Sequence, residues 1–389
     1  MIYPFKGIHP KQEDAEEVVI QPVDTYSKEN IETILRVNSK SFLNIVLKPK
    51  TLQEKNTAFY NFLNKGLLHE DETPCFYIYQ QQFKDKIHRG IIALINLEDY
   101  QKGKIVKHEH TLEEREEKLK EYLKIVRINA EPILLTYPKE ERIDAYLFNV
   151  TNSILPDIVL NHGAQNHQLW IIDKPNEITQ VQSLFLNMPA FYIADGHHRI
   201  ASSTLLALEE KENIKAQYVM AGLFSENQLS LCEFNRILSL TDDFDLSILL
   251  QNFEIVEFNE FIKPSKAKYT LRFQKKWYAI QLKQELLKNR LENSKYEQLD
   301  VVICEHYIIK AFFPDCNVRT DKRIQCISGK AGIEHITSLI DQSENLLGIF
   351  LPPVSFDTFF NIADSGDTMP PKSTWFAPKL LNGLINYVL

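Results

Sequence analysis

The chain has 389 residues, of which 44% are hydrophobic and 25% are charged; this composition supports one large domain or two of ordinary size and argues against wholesale disorder. The net charge of −8 excludes the globally basic surface that most nucleic-acid-binding proteins display, so we expect no nucleic-acid partner. We find no apolar run of about 18 residues and no secretory signal pattern, so we expect a cytoplasmic protein without a membrane partner.

The five cysteines are odd in number and widely spaced, and no two of them form a C-x-x-C pair. This pattern predicts neither a disulfide framework nor a zinc ribbon. We therefore expect the thiols to be reduced.

The first part of the chain alternates between helical and extended patterns. A helix is predicted over KENIETILRV, and strands rich in β-branched and aromatic residues are predicted over 75–80 and 90–97. Thr111 and Glu114 have the spacing of a capping box, and the apolar residues that follow recur at helical intervals. A helix is therefore predicted to start at Thr111.

Further strands are predicted over 169–173, 189–194 and 217–224, and a helix is predicted after Arg199. The stretch YTLRFQKKWYAIQL alternates apolar and polar residues on both sides of a polar turn, which is typical of a β-hairpin. Because strands and helices interleave throughout, we predict a mixed α+β fold. The change of character near residue 240 predicts a division there.

The segment FYIADGHHRIASS, residues 191–203, concentrates polar chemistry at the end of an apolar strand. A strand that turns into a helix exposes unpaired N–H groups, and Gly196 lets the backbone adopt positive φ or approach a ligand closely. Arg199 offers a fork for phosphate oxygens, and His197 and His198 can donate hydrogen bonds or transfer protons. Asp195 can cap the helix, orient a histidine or bind Mg²⁺.

A plain alternative is a capped surface turn, which is the commoner meaning of Asp-Gly before a helix. The His-His-Arg triplet directly behind a buried strand favours a nucleotide phosphate site instead. Metal binding by the two histidines is less favoured, because adjacent histidines point in different directions.

Several segments together resemble the family called domain of unknown function 1015. They are IADGHHR, HEHT at 108–111, LEDYQKG at 97–103, MPPKSTWFAPKLLNGL at 369–384, the opening PFKGIHP, and QPVD at 21–24. The resemblance implies a branch of the superfamily that holds ParB-type nucleotide-binding domains, sulfiredoxins and free-serine kinases. In that superfamily the corresponding turn binds nucleotide phosphates at a helix N-terminus.

The residue types separate the branches of this superfamily. Sulfiredoxins carry a reactive cysteine where this chain has His197, and a thiol mechanism needs its thiol. ParB proteins carry a basic helix-turn-helix domain, which the acidic composition argues against. The free-serine kinases are similar at Asp-Gly-His-His-Arg, so this branch is the best match.

A kinase acting on a small alcohol needs a phosphate cradle, Mg²⁺ and a carboxylate that accepts the hydroxyl proton. Asp24 in QPVD and Glu109 in HEHT are the two candidates for that base, and each can equally be a solvated surface acid. His198 is a further candidate for proton transfer, and Asp195 is the candidate ligand of Mg²⁺.

Two further candidates, the segment Lys372–Thr374 and the residue Arg236, lie in the C-terminal half of the chain. Lys372, Ser373 and Thr374 are candidate substrate-binding residues, with packing of the C-terminal segment as the alternative. Arg236 stands where family members resemble Thr-His-Arg, and it is a candidate phosphate ligand or a structural ion-pair partner. The segment SGKAG at 328–332 lacks the Walker A spacing, so it predicts a strand-to-helix turn. The segment CEHYIIK at 304–310 predicts a helix.

From these observations we predict a nucleotide-dependent phosphotransferase that phosphorylates free L-serine or a similar small hydroxyl compound, with Mg²⁺ as cofactor and ATP or ADP as donor. Residues 1–240 are predicted to form a ParB/sulfiredoxin-like core that carries the DGHHR turn. Residues 241–389 are predicted to form a C-terminal α+β subdomain whose MPPKSTWF segment returns to the site. The alternatives are a nucleotide-binding regulatory module without turnover and a phosphate-ester hydrolase.

Overall fold

A computed structural model describes residues 1–241, 245–292, 294–318 and 320–389. Its strands are β1 Ile2–Tyr3, β2 Ile8–His9, β3 His69–Glu70, β4 Phe76–Phe83, β5 Lys86–Asn96, β6 Ile105–Val106, β7 Ile128–Asn129, β8 Ile133–Tyr137, β9 Ile158–His162, β10 Gln165–Ile172, β11 Phe191–Asp195, β12 Tyr218–Ser225, β13 Ser230–Cys232, β14 Phe234–Ser239, β15 Phe253–Phe258, β16 Lys268–Phe273, β17 Lys276–Leu282, β18 Ile324–Ser328, β19 Leu346–Phe350, β20 Trp375–Ala377 and β21 Tyr387–Val388.

The α-helices are α1 Ala15–Val18, α2 Lys28–Val37, α3 Leu43–Val46, α4 Leu52–Asn64, α5 Leu97–Gln101, α6 Glu113–Val126, α7 Glu141–Ser153, α8 Pro175–Phe185, α9 His197–Glu209, α10 Gln284–Leu291, α11 Asp300–Cys304, α12 Lys310–Phe312, α13 Ile333–Ile340 and α14 Phe356–Asp364. A π-helical turn, Glu305–Ile309, joins α11 to α12. The predicted mixed α+β class is therefore confirmed.

The chain divides into two compact units. Unit 1 comprises Met1–Ser230 and Pro378–Leu389, and unit 2 comprises Leu231–Ala377. In unit 1, consecutive residues of β4, β5, β8 and β12 are buried, so both faces of the sheet are covered at its centre.

Unit 1 contains, within the described residues, a nine-stranded mixed sheet. Its order is β6-β11-β8-β12-β5-β4-β10-β9, with β1 paired to β5. Strand β11 runs parallel to β6 and antiparallel to β8, and its carboxyl end leads directly into α9. Buried aliphatic and aromatic side chains of these strands, including Ile133 and Ile193, share one core with Ile200 of α9.

Unit 2 contains, within the described residues, a six-stranded sheet of order β15-β17-β16-β19-β14-β18. Its core joins the sheet to the helical segment that runs from α11 to α12. The SGKAG segment is a strand-to-helix turn as predicted, because β18 ends at Ser328 and α13 follows a short 3₁₀ turn.

Most of the predicted elements are confirmed in the structure. The helix over KENIETILRV is α2, and the hairpin is β16–β17 with Gln274 and Lys275 both at positive φ in its two-residue turn. The predicted start of α6 is wrong. The helix begins at Glu113 after Leu112, without a side-chain cap, so the Thr111 capping box does not form.

All five cysteines are free, in agreement with the predicted absence of a disulfide framework. In the part of the chain that the structure describes, no helix combines the length and hydrophobicity needed to cross a bilayer.

Candidate functional site

The DGHHR turn connects a buried strand to a buried helix through a single glycine. Strand β11 ends at Asp195 after an irregularity in its register against β8, and α9 begins at His197. Between them Gly196 has φ +97° and ψ +27°, a left-handed conformation. A Cβ at this position would lie 2.9 Å from the Ile133 Cγ2 atom. The turn therefore requires glycine for both its conformation and its space.

The first turn of α9 presents backbone donors that the helix itself does not use. The first hydrogen bond of the helical ladder runs from the Ile200 N–H to the Gly196 carbonyl, at 3.0 Å. The N–H groups of residues 197–199 precede that ladder. With the positive end of the helix dipole, they form an arrangement suited to an anion.

Two cations flank Asp195 at this turn. The Lys379 Nζ lies 3.0 Å from Oδ1, and the Arg199 guanidinium donates to Oδ2 at 2.8 Å. Burial alone would raise the pKa of the Asp195 carboxyl, but the charges of Arg199 and Lys379 outweigh it and hold this pKa below its usual value. Arg199 also lies 3.4 Å from the Glu131 carboxylate, so the two cations at the turn face two carboxylates.

Arg199 also fastens the turn to the segment that precedes β8. Its guanidinium donates to the backbone carbonyls of Glu131, at 3.0 Å, and Pro132, at 2.6 Å. The same side chain is 20% exposed. Arg199 is thus a positioning residue in this structure, and its predicted contact with phosphate stays a prediction.

His197 is buried against a second histidine. Its ring meets the His108 ring edge to face, with centroids 4.5 Å apart and planes at 80°. Burial lowers the pKa of His197 to about 4 and lowers the pKa of His108 well below its usual value. Both rings are therefore neutral at pH 7. The His197 Nε2 atom is buried and has no hydrogen-bond partner among the described residues.

His198 holds the other end of the HEHT loop. Its Nε2 accepts a hydrogen bond from the Leu112 N–H at 3.1 Å, so the neutral ring carries its proton on Nδ1. This contact satisfies a backbone donor at the start of α6, where the predicted Thr111 cap is absent. Glu109 is half-buried in the loop between His108 and Leu112, both of which contact the turn.

Asp24 lies on a 3₁₀ turn, Val23–Thr25, and its side chain is exposed. The contacts that shape this turn are local: the Thr25 hydroxyl donates to the Pro22 carbonyl at 2.7 Å. The loop that carries Glu109 contacts the turn through its flanking residues, and the assignment of the base stays a prediction.

The remaining candidates lie together in unit 2. Arg236 is buried and donates to the carbonyls of Phe234 and Lys372, both at 2.9 Å. The Lys372 ammonium lies 5.2 Å from the centroid of the Phe234 ring, and the buried Ser373 hydroxyl donates to the Pro370 carbonyl. Thr374 is half-buried beside them. Arg236 thus supports the Lys372–Thr374 segment, and the predicted ligand contacts of these residues stay predictions.

The residues at the turn do not fit a Mg²⁺ ion bound through Asp195. Both of its carboxylate oxygens face cationic donors, at 3.0 Å and 2.8 Å, whereas Mg²⁺ prefers carboxylates free to coordinate it. Among the described residues no three His, Cys, Asp or Glu side chains form a metal-ligand cluster. We therefore derive no chemical step through a metal at Asp195.

The fold and the turn define a mixed α+β protein whose strand-to-helix turn places the Lys379 ammonium beside the start of α9. The chain belongs to the family described as protein of unknown function (DUF1015), whose model matches residues 2–302. No curated protein matches the sequence.

Similar solved structures include a C-terminally truncated SbnI from Staphylococcus aureus, with 15% identity, 75% of this chain and 85% of that chain covered, and a TM-score of 0.41. They also include a free serine kinase mutant in complex with ADP, which is 14% identical. The match covers 78% of this chain and 93% of the kinase chain, with a TM-score of 0.39. A conserved hypothetical protein from Pyrococcus furiosus is 13% identical. The match covers 74% of this chain and 90% of that chain, with a TM-score of 0.34.

Proposed function

We propose that the protein is a nucleotide-dependent phosphotransferase that transfers a phosphoryl group to free L-serine or a similar small hydroxyl compound. The observation that carries the proposal is the left-handed Gly196 turn at the start of α9, with the Lys379 ammonium beside it. A helix N-terminus with a nearby cation matches the charge and geometry of a nucleotide phosphate. The motif resemblance described above leads to the same class of reaction.

Several groups of the turn together bind the phosphates in this proposal. The N–H groups of residues 197–199 donate to phosphate oxygens, and Lys379 exchanges part of its interaction with Asp195 for one with phosphate. Each such charge-assisted hydrogen bond contributes about 1.5–3 kcal/mol, so a few of them give a usable site. Arg199 keeps Asp195 and the turn in place.

Glu109 is proposed as the base that accepts the proton of the acceptor hydroxyl. The hydroxyl oxygen then attacks the terminal phosphorus, a new P–O bond forms, and the bond from that phosphorus to the rest of the nucleotide breaks. The support for Glu109 is its place in a loop whose His108 and Leu112 both contact the turn. Because His197 and His108 are neutral, these buried rings add no positive charge beneath the turn.

The test is a phosphorus NMR time course with purified protein in buffer containing Mg²⁺. ATP, ADP and pyrophosphate are supplied in turn, each with and without L-serine. A phosphomonoester peak that grows only with serine supports the kinase and identifies the donor. Glu109→Gln should abolish the peak while nucleotide binding remains, and Glu113→Gln, an exposed neighbour at the start of α6, should leave the rate unchanged.

A nucleotide-binding module without turnover is the second candidate. The observation that favours it is the engagement of both Asp195 oxygens by cations, which leaves that carboxylate no role in chemistry. It is supported if no donor is consumed while added nucleotide raises the melting temperature. Steady phosphate release without an acceptor would instead support hydrolysis.

A further inference from the structure

A cavity in unit 2 is lined by charged groups that do not pair with one another. It lies along the helical segment from α11 to α12, which is interrupted by the π-helical turn Glu305–Ile309. Single π-helical turns inside α-helices are frequent at functional sites, because they move side chains out of helical register. Here the π turn begins at Glu305 and ends just before Lys310, and both residues line the cavity.

Arg236 supplies a buried positive charge at one end of this region. It is 1% exposed, and its two terminal nitrogens donate to backbone carbonyls. Its Nε atom has no hydrogen-bond partner among the described residues, and no carboxylate of those residues forms an ion pair with it. A guanidinium keeps its charge in a protein, and a buried charge without a counter-charge is costly. The arrangement calls for an anion.

Two cavities share lining residues beside this guanidinium. The smaller one, of about 10 Å³, is lined by Arg236 and holds about one water or one ligand oxygen. The larger one, of about 410 Å³, has the size of a small-molecule site and is lined by Lys310. Glu305, Val318 and Pro371 line both cavities, so the two are adjacent.

Glu305 brings a negative charge to the same space. Neither its carboxylate nor the Lys310 ammonium forms a hydrogen bond or an ion pair with any described residue. Opposite charges that line one small space normally pair with each other. Here Arg236, Lys310 and Glu305 stay apart, which matches a ligand that carries both signs of charge.

We propose that this cavity binds a small zwitterion, a free amino acid or a molecule with the same carboxylate and ammonium groups. The carboxylate lies toward Arg236 Nε and Lys310, and the ammonium lies toward Glu305. The remaining volume beside Cys316 and Val318 accommodates a side chain. A plain anion such as phosphate fits less well because Glu305 repels it, and a plain amine fits less well because Arg236 and Lys310 repel it.

The site is independent of the proposed phosphotransferase, since it uses none of the residues of the DGHHR turn. The two proposals therefore fail separately. A Lys379→Ala protein with weakened nucleotide binding is expected to bind amino acids at this cavity with unchanged affinity.

The experiment is calorimetric titration of the 389-residue protein with each of the twenty free amino acids, acetate, methylamine and inorganic phosphate. We expect saturable binding of at least one amino acid and weaker binding of the three single-charge probes. Glu305→Gln should weaken the amino acid at least tenfold and leave acetate binding unchanged or stronger. Glu334→Gln, an exposed acid in the first turn of α13, is the matched control and should change nothing.

Lys310→Met tests the opposite end of the ligand and should weaken both the amino acid and acetate. It also keeps the test decisive if Glu305→Gln proves unstable, because Lys310 is exposed and without a described hydrogen bond. The proposal is overturned if no amino acid binds, if phosphate binds more tightly than every amino acid, or if both variants bind the amino acid as the unaltered protein does.

Discussion

The Lys379 ammonium lies 3.0 Å from the Asp195 carboxylate, although 184 residues separate the two positions along the chain. This ion pair joins the C-terminal segment of unit 1 to the end of β11. It places a cation at the N-terminus of α9, and the Lys379 side chain is 21% exposed.

Lys379→Ala is expected to weaken nucleotide binding about tenfold or more, because one charge-assisted hydrogen bond to phosphate is lost. Stability should change little, since the ion pair is partly exposed. Calorimetric titration with ADP measures the affinity. Lys211→Ala, an exposed lysine beyond the end of α9, is the control. Equal ADP affinity in both variants would remove Lys379 from the site.

Arg199→Ala is expected to lower the free energy of unfolding by about 1–3 kcal/mol, because the Glu131 and Pro132 carbonyls and the Asp195 carboxylate lose their donor. Nucleotide affinity should fall as well, since the turn loses its anchor. Urea unfolding and ADP titration give the two effects separately.

Arg199→Lys distinguishes charge from geometry in the same experiments. A lysine keeps the charge but cannot bridge two carbonyls and a carboxylate as the planar fork does. We expect it to recover little of the lost stability. Full recovery of both stability and affinity would mean that only the charge of Arg199 matters.

The turn itself could be predicted from sequence because its signals are local. A run of β-forming residues, one glycine and a helix-forming run follow each other in FYIADGHHRIASS, and the structure has β11, the left-handed Gly196 and α9 in that order. The β16–β17 hairpin has the same origin, since both strands and the turn lie within 15 residues.

The partners of the turn could not be predicted in the same way. Arg199 donates to carbonyls 67 and 68 residues away, and a backbone carbonyl has no signature in the sequence. The predicted start of α6 is wrong for a related reason. Its backbone donor at Leu112 is satisfied by His198, 86 residues away, so the local Thr111 and Glu114 pattern is not used.

Gly196→Ala should destabilise the protein more than Gly103→Ala. Both glycines have positive φ, +97° and +75°, so both substitutions strain the backbone by about 1 kcal/mol. A Cβ at Gly196 also meets Ile133 at 2.9 Å, whereas a Cβ at Gly103 meets no atom within 4 Å. The extra contact should add about 1–3 kcal/mol.

Urea unfolding of both variants measures the difference, and a matching ADP titration checks the site. Gly103→Ala should bind ADP normally, and Gly196→Ala should bind it more weakly because the N–H groups of the first turn are displaced. Equal loss of stability in the two variants would show that the turn relaxes away from Ile133 without cost.

The low pKa of His197 predicts a pH dependence of stability. Burial lowers this pKa to about 4 in the folded protein, while an exposed histidine titrates near 6.5. Between these values the unfolded chain binds a proton that the folded protein does not, so the free energy of unfolding falls as the pH drops from about 6.5 to about 4. The pKa difference corresponds to about 3 kcal/mol, all of it present above pH 7.

Urea unfolding at several pH values between 7 and 4 tests this with His197→Gln, which cannot titrate. The variant should lose stability less steeply with falling pH than the unaltered protein does. His110→Gln, at an exposed position of the same HEHT loop, should keep the original slope. His108 and His167 are also buried with lowered pKa values, so the comparison rests on the difference between slopes. Identical slopes for His197→Gln and the unaltered protein would mean that the ring is protonated in the folded state without cost, and that a cation can occupy the floor of the turn.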